Sequence, residues 1–274
     1  MTERDAIEQA ELSVDGLIEA FTVRREDDRW TAVPPAWFGG GLFGGTLIGQ
    51  AVAAACAAQS PEHPPERRMH SLHAYFLRPG RAGEDVSFTV EPLKEGRTLS
   101  LYTVAAWQDE RQLLSMTCSF AVDTDGYEYQ LPPVEAGEPP AVAVPDRWPG
   151  HVERMGPTPP DQDGTMRSTA RNWLRTAGRL PDDPALHASV IGYYSDITST
   201  GGRPLHLEGN VDGLISLDHA VWFHRPARVD EWLLFDVHSL INAGGRGVLR
   251  GALYTRDRTL VASVAQEMII RPVG

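Results

Sequence analysis

The stretch Ser216 to Pro226, SLDHAVWFHRP, decides the fold, because a weaker copy of it, MHSLHAYFLRP from Met69 to Pro79, lies 147 positions upstream. In each copy an aromatic-rich run of strand-forming residues ends in Phe-x-Arg-Pro: Phe76, Arg78 and Pro79 in the first, Phe223, Arg225 and Pro226 in the second. Proline has no N–H to give to a sheet ladder, so each one marks the end of a strand. The match continues behind these anchors. Glu84 to Phe120 and Asp230 to Met268 share strand lengths, a glycine-containing turn and then a charged turn, Asp109 to Arg111 in one and Arg256 to Arg258 in the other. The chain therefore reads as a tandem duplication, and the differences between its two copies point to where the chemistry sits.

At 274 residues there is room for two domains, each with its own core. A hydrophobic content of 42% and a charged content of 23% are those of a soluble globular protein. The net charge of −12 argues against a general nucleic-acid or anionic-membrane surface, because both need basic patches. Cys56 and Cys118 lie in small apolar runs without metal-ligand spacing and are expected to be buried, reduced thiols of a cytoplasmic protein. The opening MTERDAIEQAELS is too polar for a signal peptide, and no transmembrane run is expected.

Gly44 to Gln59, GGTLIGQAVAAACAAQ, carries no charge and is dense in alanine, which predicts a helix that is apolar on nearly every side and wrapped by a sheet. Glycines at 39, 40, 41, 44 and 45 precede or open it, so several N–H groups can be presented at its N-terminus. Antiparallel strands are expected at Leu72–Leu77, Val86–Leu93, Leu99–Gln108 and Leu113–Val122. The composition then shifts to Pro, Gly and acid, which gives an N-terminal domain over 1–123, a linker over 124–165 and a C-terminal domain over 166–274. In the second domain a strand near Met166–Leu174 is followed by a helix from Pro184 to about Thr198, begun by Asp183 and stopped at Gly201-Gly202. Strands at Ser216–His224, Trp232–Ser239, Val248–Tyr254 and Leu260–Ile270 complete it. Leu12 to Val23 fits a short amphipathic helix or a strand equally well.

Gly39 to Gly44 satisfies GxGxxG literally, but TAVPPAWF before it forms no βαβ unit, so dinucleotide binding is not expected. His70 and His73 have metal-like spacing, yet positions three apart on a regular strand face opposite ways, so no metal site is expected. Polar residues on apolar faces carry more information. Gln266 interrupts the row Leu260, Ala262, Val264, Met268, Ile270; Asp196 borders a helix stripe near the C-terminal end, where the macrodipole disfavours an anion; Ser216 opens the repeated strand. Each also has a plain structural role open to it. Aligned at a constant offset, the first copy has Met69 opposite Ser216 and Ser119 opposite Gln266, and its helix has no acid. Only the second copy holds the polar trio.

Through LFGGTLIGQAVAAA, HSLHAYFLRPG, YYSD, SLDHAVWFHRP, DEWLL and GGRGVLRGALYTRDRTLVASVAQE, the chain resembles the acyl-CoA thioesterase II family, whose members carry two hotdog folds in one polypeptide. The resemblance implies an α+β double hotdog, each unit a central helix wrapped by an antiparallel sheet. It implies hydrolysis of acyl-CoA to free acid and CoA, with no cofactor, no nucleic-acid or membrane partner, and further association into a homo-oligomer. It also implies that Asp196, Ser216 and Gln266 hold the attacking water. Backbone N–H groups of Gly44, Gly45 and Thr46 are candidates for the oxyanion, and Arg78, Arg225, Arg246 and Arg250 for the CoA phosphates or for an ordinary surface role. The family more often has FGGQ where this chain has Phe43-Gly44-Gly45-Thr46, and Leu-x-x-Leu where it has Ile197-Thr198-Ser199-Thr200. Both departures bear on the acyl pocket. A non-catalytic acyl-CoA or acyl-carrier binding protein is the alternative, and a hydratase lacks its expected residues.

Overall fold

The computed structural model describes residues 13–60, 64, 66–131, 137–139, 152–154, 169–197 and 211–272. Its elements in chain order are α1 (Val14–Ala20), β1 (Arg24–Glu26), β2 (Arg29–Ala32), α2 (Gly44–Ala57), β3 (Arg68–Phe76), β4 (Val86–Lys94), β5 (Leu99–Gln108) and β6 (Arg111–Ala121). These are followed by β7 (Val152–Arg154), β8 (Thr169–Thr176), α3 (Pro184–Ile197), β9 (Val211–Phe223), β10 (Leu233–Ala243), β11 (Arg246–Thr255) and β12 (Leu260–Pro272). Within Leu12 to Val23, Val14–Ala20 thus resolves as a helix, with Ser13 Oγ accepting from Gly16 N–H as its N-cap. The proposed helix stop at Thr198 to Gly202 and the strand start at Met166 lie outside the described residues.

Among the described residues all twelve strands form one sheet in the order β1-β2-β4-β5-β6-β3-β9-β12-β11-β10-β8-β7. The two repeated stretches meet at its centre: β3 pairs antiparallel with β9, with His73 opposite Ala220. Those two residues are each other's counterparts in the repeat, so a pseudo-twofold axis passes between them. The fold is the α+β double hotdog that the family resemblance implies, with the sheets of its two halves continuous.

The two central helices lie antiparallel against each other inside the curve of the sheet. Gly45 of α2 faces Tyr193 and Asp196 of α3, whereas Gly49, one turn further on, faces Ser189. The backbones nearly touch. A methyl group added at Gly49 would lie 2.8 Å from the Ser189 carbonyl oxygen and 2.4 Å from the Phe21 ring, and one added at Gly192 would lie 3.2 Å from Ile48 Cγ2. From Gly45 to Ala55 every residue of α2 is buried, as its uncharged sequence requires.

Two register details correct the constant-offset alignment. The hairpin between β11 and β12 is longer than that between β5 and β6, and the offset grows by one residue across it. Leu72 pairs with Cys118 and His219 pairs with Gln266. Cys118, not Ser119, is therefore the counterpart of Gln266. A bulge between Met69 and Ser71 turns His70 toward Ser119, 2.8 Å from its Oγ, onto the outer face that His73 and Thr117 share. The bulge removes the strict alternation on which opposite faces depended. Among the described residues no cluster of three or more His, Cys, Asp or Glu can hold a metal ion, and no helix is long and apolar enough to cross a membrane.

The described parts of the Pro-rich segment lie on the second half of the sheet. Gln130 donates to Arg258 O and accepts from Leu260 N–H, 2.8 and 3.0 Å away, and Gly137 O accepts from Trp173 Nε1.

The helix crossing yields a stability prediction. Gly49→Ala must displace Ser189 or Phe21 and is expected to cost about 1–3 kcal/mol, read as a lower melting temperature in thermal unfolding. An unchanged midpoint would show that the crossing has slack.

Candidate active site

Asp196, Ser216 and Gln266 are 70, 50 and 20 positions apart in various pairings along the chain, yet the fold brings them together: Gln266 Nε2 donates to Asp196 Oδ1 at 2.8 Å and to Ser216 Oγ at 2.7 Å.

 Three different elements supply them. Asp196 comes from the last turn of α3, Ser216 from β9 and Gln266 from β12. Asp196 is 3% exposed and Gln266 1%, while Ser216 keeps part of its surface open. Both amide hydrogens of Gln266 are used within the trio. The Ser216 oxygen accepts one of them, so its own hydroxyl proton remains for another acceptor.

The position of Asp196 looked unfavourable in its own helix, and the second helix resolves this. Because α2 and α3 are antiparallel, the N-terminus of α2 lies against the C-terminal turn of α3. A methyl group at Gly44 would sit 2.8 Å from Asp196 Oδ2 and 3.1 Å from the Phe76 ring, and one at Gly45 would sit 3.1 Å from Asp196 Cβ. The carboxylate thus stands at the positive end of the neighbouring helix, an arrangement that stabilises an anion by about 0.3–1 kcal/mol, and more when partly buried. Phe43 occupies the N-cap position in extended conformation and offers no side-chain cap. The first N–H groups of α2, at Gly44, Gly45 and Thr46, belong to the orphan donors of a helix start. Gly44 and Gly45 therefore stand beside Asp196, and Thr46, the next residue of the helix start, is buried to 1% exposure.

Aromatic side chains wall this corner. Tyr193 on α3 is fully buried, with ring centroids of Trp37, Phe21 and Phe43 at 5.4, 5.6 and 5.9 Å, and Phe38 stacks on Phe43 at 4.6 Å. Burial pushes the Tyr193 phenol well above its ordinary value. Three of the four candidate arginines have other partners: Arg78 donates to Gln112 O, Arg225 to Leu260 O and Glu128, and Arg246 to Glu267.

The other end of the helix pair is built from the counterparts of the same positions, and there the chemistry is missing. Cys56, Met69 and Cys118 stand where the second half has Asp196, Ser216 and Gln266. Burial, then the Asp183 charge, pushes the Cys56 thiol up to about 12, and burial, then Cys56, does the same to Cys118. The helix start differs as well. Pro184 has no N–H, and Asp183 Oδ1 accepts from Ala185 N–H at 2.9 Å, so α3 opens capped and negatively charged.

The sequence reading passed over His219. It is 1% exposed, faces Gln266 across β9 and β12, and has Nε2 2.7 Å from Ser195 Oγ. Burial holds its pKa below the ordinary histidine value, against the opposing influence of Asp196, Asp218 and Gln266. Its counterpart is Leu72. The copy comparison that singled out the trio carried the same signal for this position.

Residues 129–270 match the family of acyl-CoA thioesterase C-terminal domains, and residues 33–121 match that of acyl-CoA thioesterase N-terminal domains. The chain belongs to the acyl-CoA thioesterase family. Acyl-CoA thioesterase 2 of Haemophilus influenzae is 30% identical over 255 residues, covering 84% of this chain and 87% of that protein. Human acyl-coenzyme A thioesterase 8 is 29% identical over 260 residues, covering 84% and 80%. Among solved structures, the acyl-CoA thioesterase II TesB2 of Mycobacterium marinum superposes with a TM-score of 0.78 at 30% identity, covering 94% of this chain and 98% of its own.

Two predictions concern the site's surroundings. Cys118 is 1% exposed, whereas Cys56, expected to be buried, is only half-buried. With the Cys118 thiol near 12, fewer than about one in a thousand is thiolate at pH 8, so Cys118 of this thioesterase-family chain is not expected to react with a disulfide reagent until denaturant is added. Rapid native labelling would overturn that picture. The second concerns acid. Half-buried His70 and buried His187 and His219 are all held below the ordinary value of 6.5, chiefly by burial. The unfolded chain therefore binds protons that the folded chain refuses, and stability present above about pH 6.5 is lost as the pH falls below it. Melting temperatures measured from pH 7.5 to 5 should decline; a flat profile would contradict the burial of these imidazoles.

Proposed function

We propose that the protein hydrolyses acyl-CoA to a free carboxylic acid and CoA by direct attack of a water molecule that Asp196 deprotonates and Ser216 and Gln266 position. The chain's family is one of thioester hydrolases, which fixes the reaction class. One observation carries the assignment of roles: a buried amide, Gln266, joins a carboxylate and a hydroxyl at the open N-terminus of the facing helix.

Thioester hydrolysis needs a nucleophilic water, a place for the carbonyl's negative charge and a departing group. Water bound between Asp196 and the Ser216 hydroxyl loses a proton to the carboxylate as its oxygen attacks the carbonyl carbon. The developing oxyanion lies against N–H groups of Gly44, Gly45 and Thr46, where the helix terminus is already aligned for an anion. Collapse of the tetrahedral species breaks the C–S bond and expels the CoA thiolate. A thiol with a pKa of about 8.5 leaves without a dedicated acid, so a single base suffices. Gln266 donates only to its two partners and acts by fixing them, since a misplaced acceptor in a dry site costs about 1–3 kcal/mol. No covalent enzyme intermediate is involved.

The absence of a comparable carboxylate and amide at Cys56 and Cys118 restricts the reaction to the Asp196 end. The glycine at 44 is part of the same design, since any side chain there meets Asp196 Oδ2.

The test is release of CoA thiol from short, medium and long acyl-CoAs by the intact protein and by Asp196→Asn. A fall in kcat of at least about a hundredfold, or about 2.7 kcal/mol of transition-state stabilisation, is expected in the variant. If acyl-CoA binds to both proteins and neither releases thiol above background, the chain is a binding protein and the mechanism fails.

A further inference from the structure

We propose that His219 is a positioning residue that sets the orientation of the Gln266 amide and, through it, the geometry of Asp196 and Ser216. The inference rests on the roles assigned to that trio.

A terminal amide has two ends of nearly equal shape, and only one orientation serves this site. With Nε2 inward, Gln266 donates to Asp196 and to Ser216. Turned over, it would set a carbonyl oxygen against a carboxylate and leave Ser216 without its donor. The correct orientation places Oε1 on the opposite side, fully buried and without a hydrogen-bond partner among the described residues, next to the His219 imidazole, whose proton affinity Gln266 raises. His219 Nδ1 is in the same condition: buried, and without another partner. The two residues are Cα partners across β9 and β12, and each is 1% exposed. One acceptor and one nitrogen able to donate are thus buried side by side on neighbouring strands, and an Nδ1–H to Oε1 hydrogen bond satisfies both.

The far side of the ring is held as well. His219 Nε2 lies 2.7 Å from Ser195 Oγ, which itself lies 2.7 Å from Gly192 O. Ser195 has one hydroxyl proton and Gly192 O can only accept, so the two contacts compete for it: with the imidazole proton on Nδ1, the Ser195 proton goes to Nε2, and the Gly192 carbonyl keeps the N–H donated from the next helical turn. Ser195 immediately precedes Asp196 on α3. The chain of contacts therefore starts on the helix that carries the base, crosses the imidazole to the amide and returns to the base, closing a ring of buried polar groups. The duplication supplies an independent indication. Where Gln266 is replaced by Cys118, His219 is replaced by Leu72, which is wholly buried. Amide and imidazole are present together or absent together.

The experiment measures kcat, KM and melting temperature for the intact protein and for His219→Ala, His219→Asn, His219→Gln, Gln266→Ala and the double variant His219→Ala with Gln266→Ala, using whichever acyl-CoA the unmodified protein turns over fastest. Asparagine places an N–H where Nδ1 stands, and glutamine places one where Nε2 stands. His219→Ala is expected to lower kcat about tenfold or more while KM stays within about twofold, and the double variant should be no slower than Gln266→Ala alone. His219→Asn should recover most of the rate and His219→Gln should not. The Asn and Gln pair decides the matter even if the alanine variant does not fold. Recovery by Gln but not Asn, losses that multiply in the double variant, or an unchanged kcat in His219→Ala would overturn the inference while leaving the trio intact. An unchanged kcat in Gln266→Ala would instead sink the trio's assigned roles, and this inference with them.

Discussion

The close crossing of α2 and α3 is the constraint on which the rest of the structure depends. Helices usually keep their axes 8–10 Å apart through intervening side chains. Here glycines at 45, 49 and 192 let backbone meet backbone, and the near-contact between Gly49 and Ser189 lies between counterpart positions of the two helices. A close antiparallel pair places the start of one helix against the end of the other, twice. The sheet then has one curve to follow around both helices, and its twelve strands continue without a break where β3 meets β9.

Each of the two helix-end junctions is therefore made from both halves of the chain, and neither half builds a site alone. At one junction the α2 start is glycine-rich and uncapped beside a carboxylate. At the other, Asp183 and Pro184 cap the α3 start beside two thiols that burial keeps protonated. The same backbone thus presents opposite electrostatics at its two ends. Favourable charge at a helix start decides which end can hold an anion.

Much of this was legible in the sequence because it was written twice. The Phe-x-Arg-Pro anchors gave the strand ends, and the charge-free run after Gly44 gave the buried helix. The trio stood out as polar residues on apolar faces that the first copy lacked. The meeting of Asp196 with Gly44 could not be read, since it depends on the antiparallel crossing of helices 140 positions apart, a contact with no local signature. Ser119 was set opposite Gln266 because a constant offset ignores the longer hairpin before β12, and a slip of one residue on a strand exchanges inner for outer face. The same alternation rule misplaced His70, because a bulge is invisible in a run such as MHSLH. His219 was missed for a different reason: a lone histidine in a strand is ordinary, and only its pairing with Gln266 distinguishes it.

Fusing the two halves into one polypeptide has a consequence for symmetry. Two identical chains docked about a true twofold axis must carry two identical junctions, and any residue that improves one is imposed on the other. Covalent linkage lifts that restriction, so Cys56, Met69 and Cys118 are free to serve packing while Asp196, Ser216 and Gln266 form a hydrogen-bonded polar cluster. The stoichiometry follows from the asymmetry: one polar junction for every two hotdog units, with the other given over to cohesion.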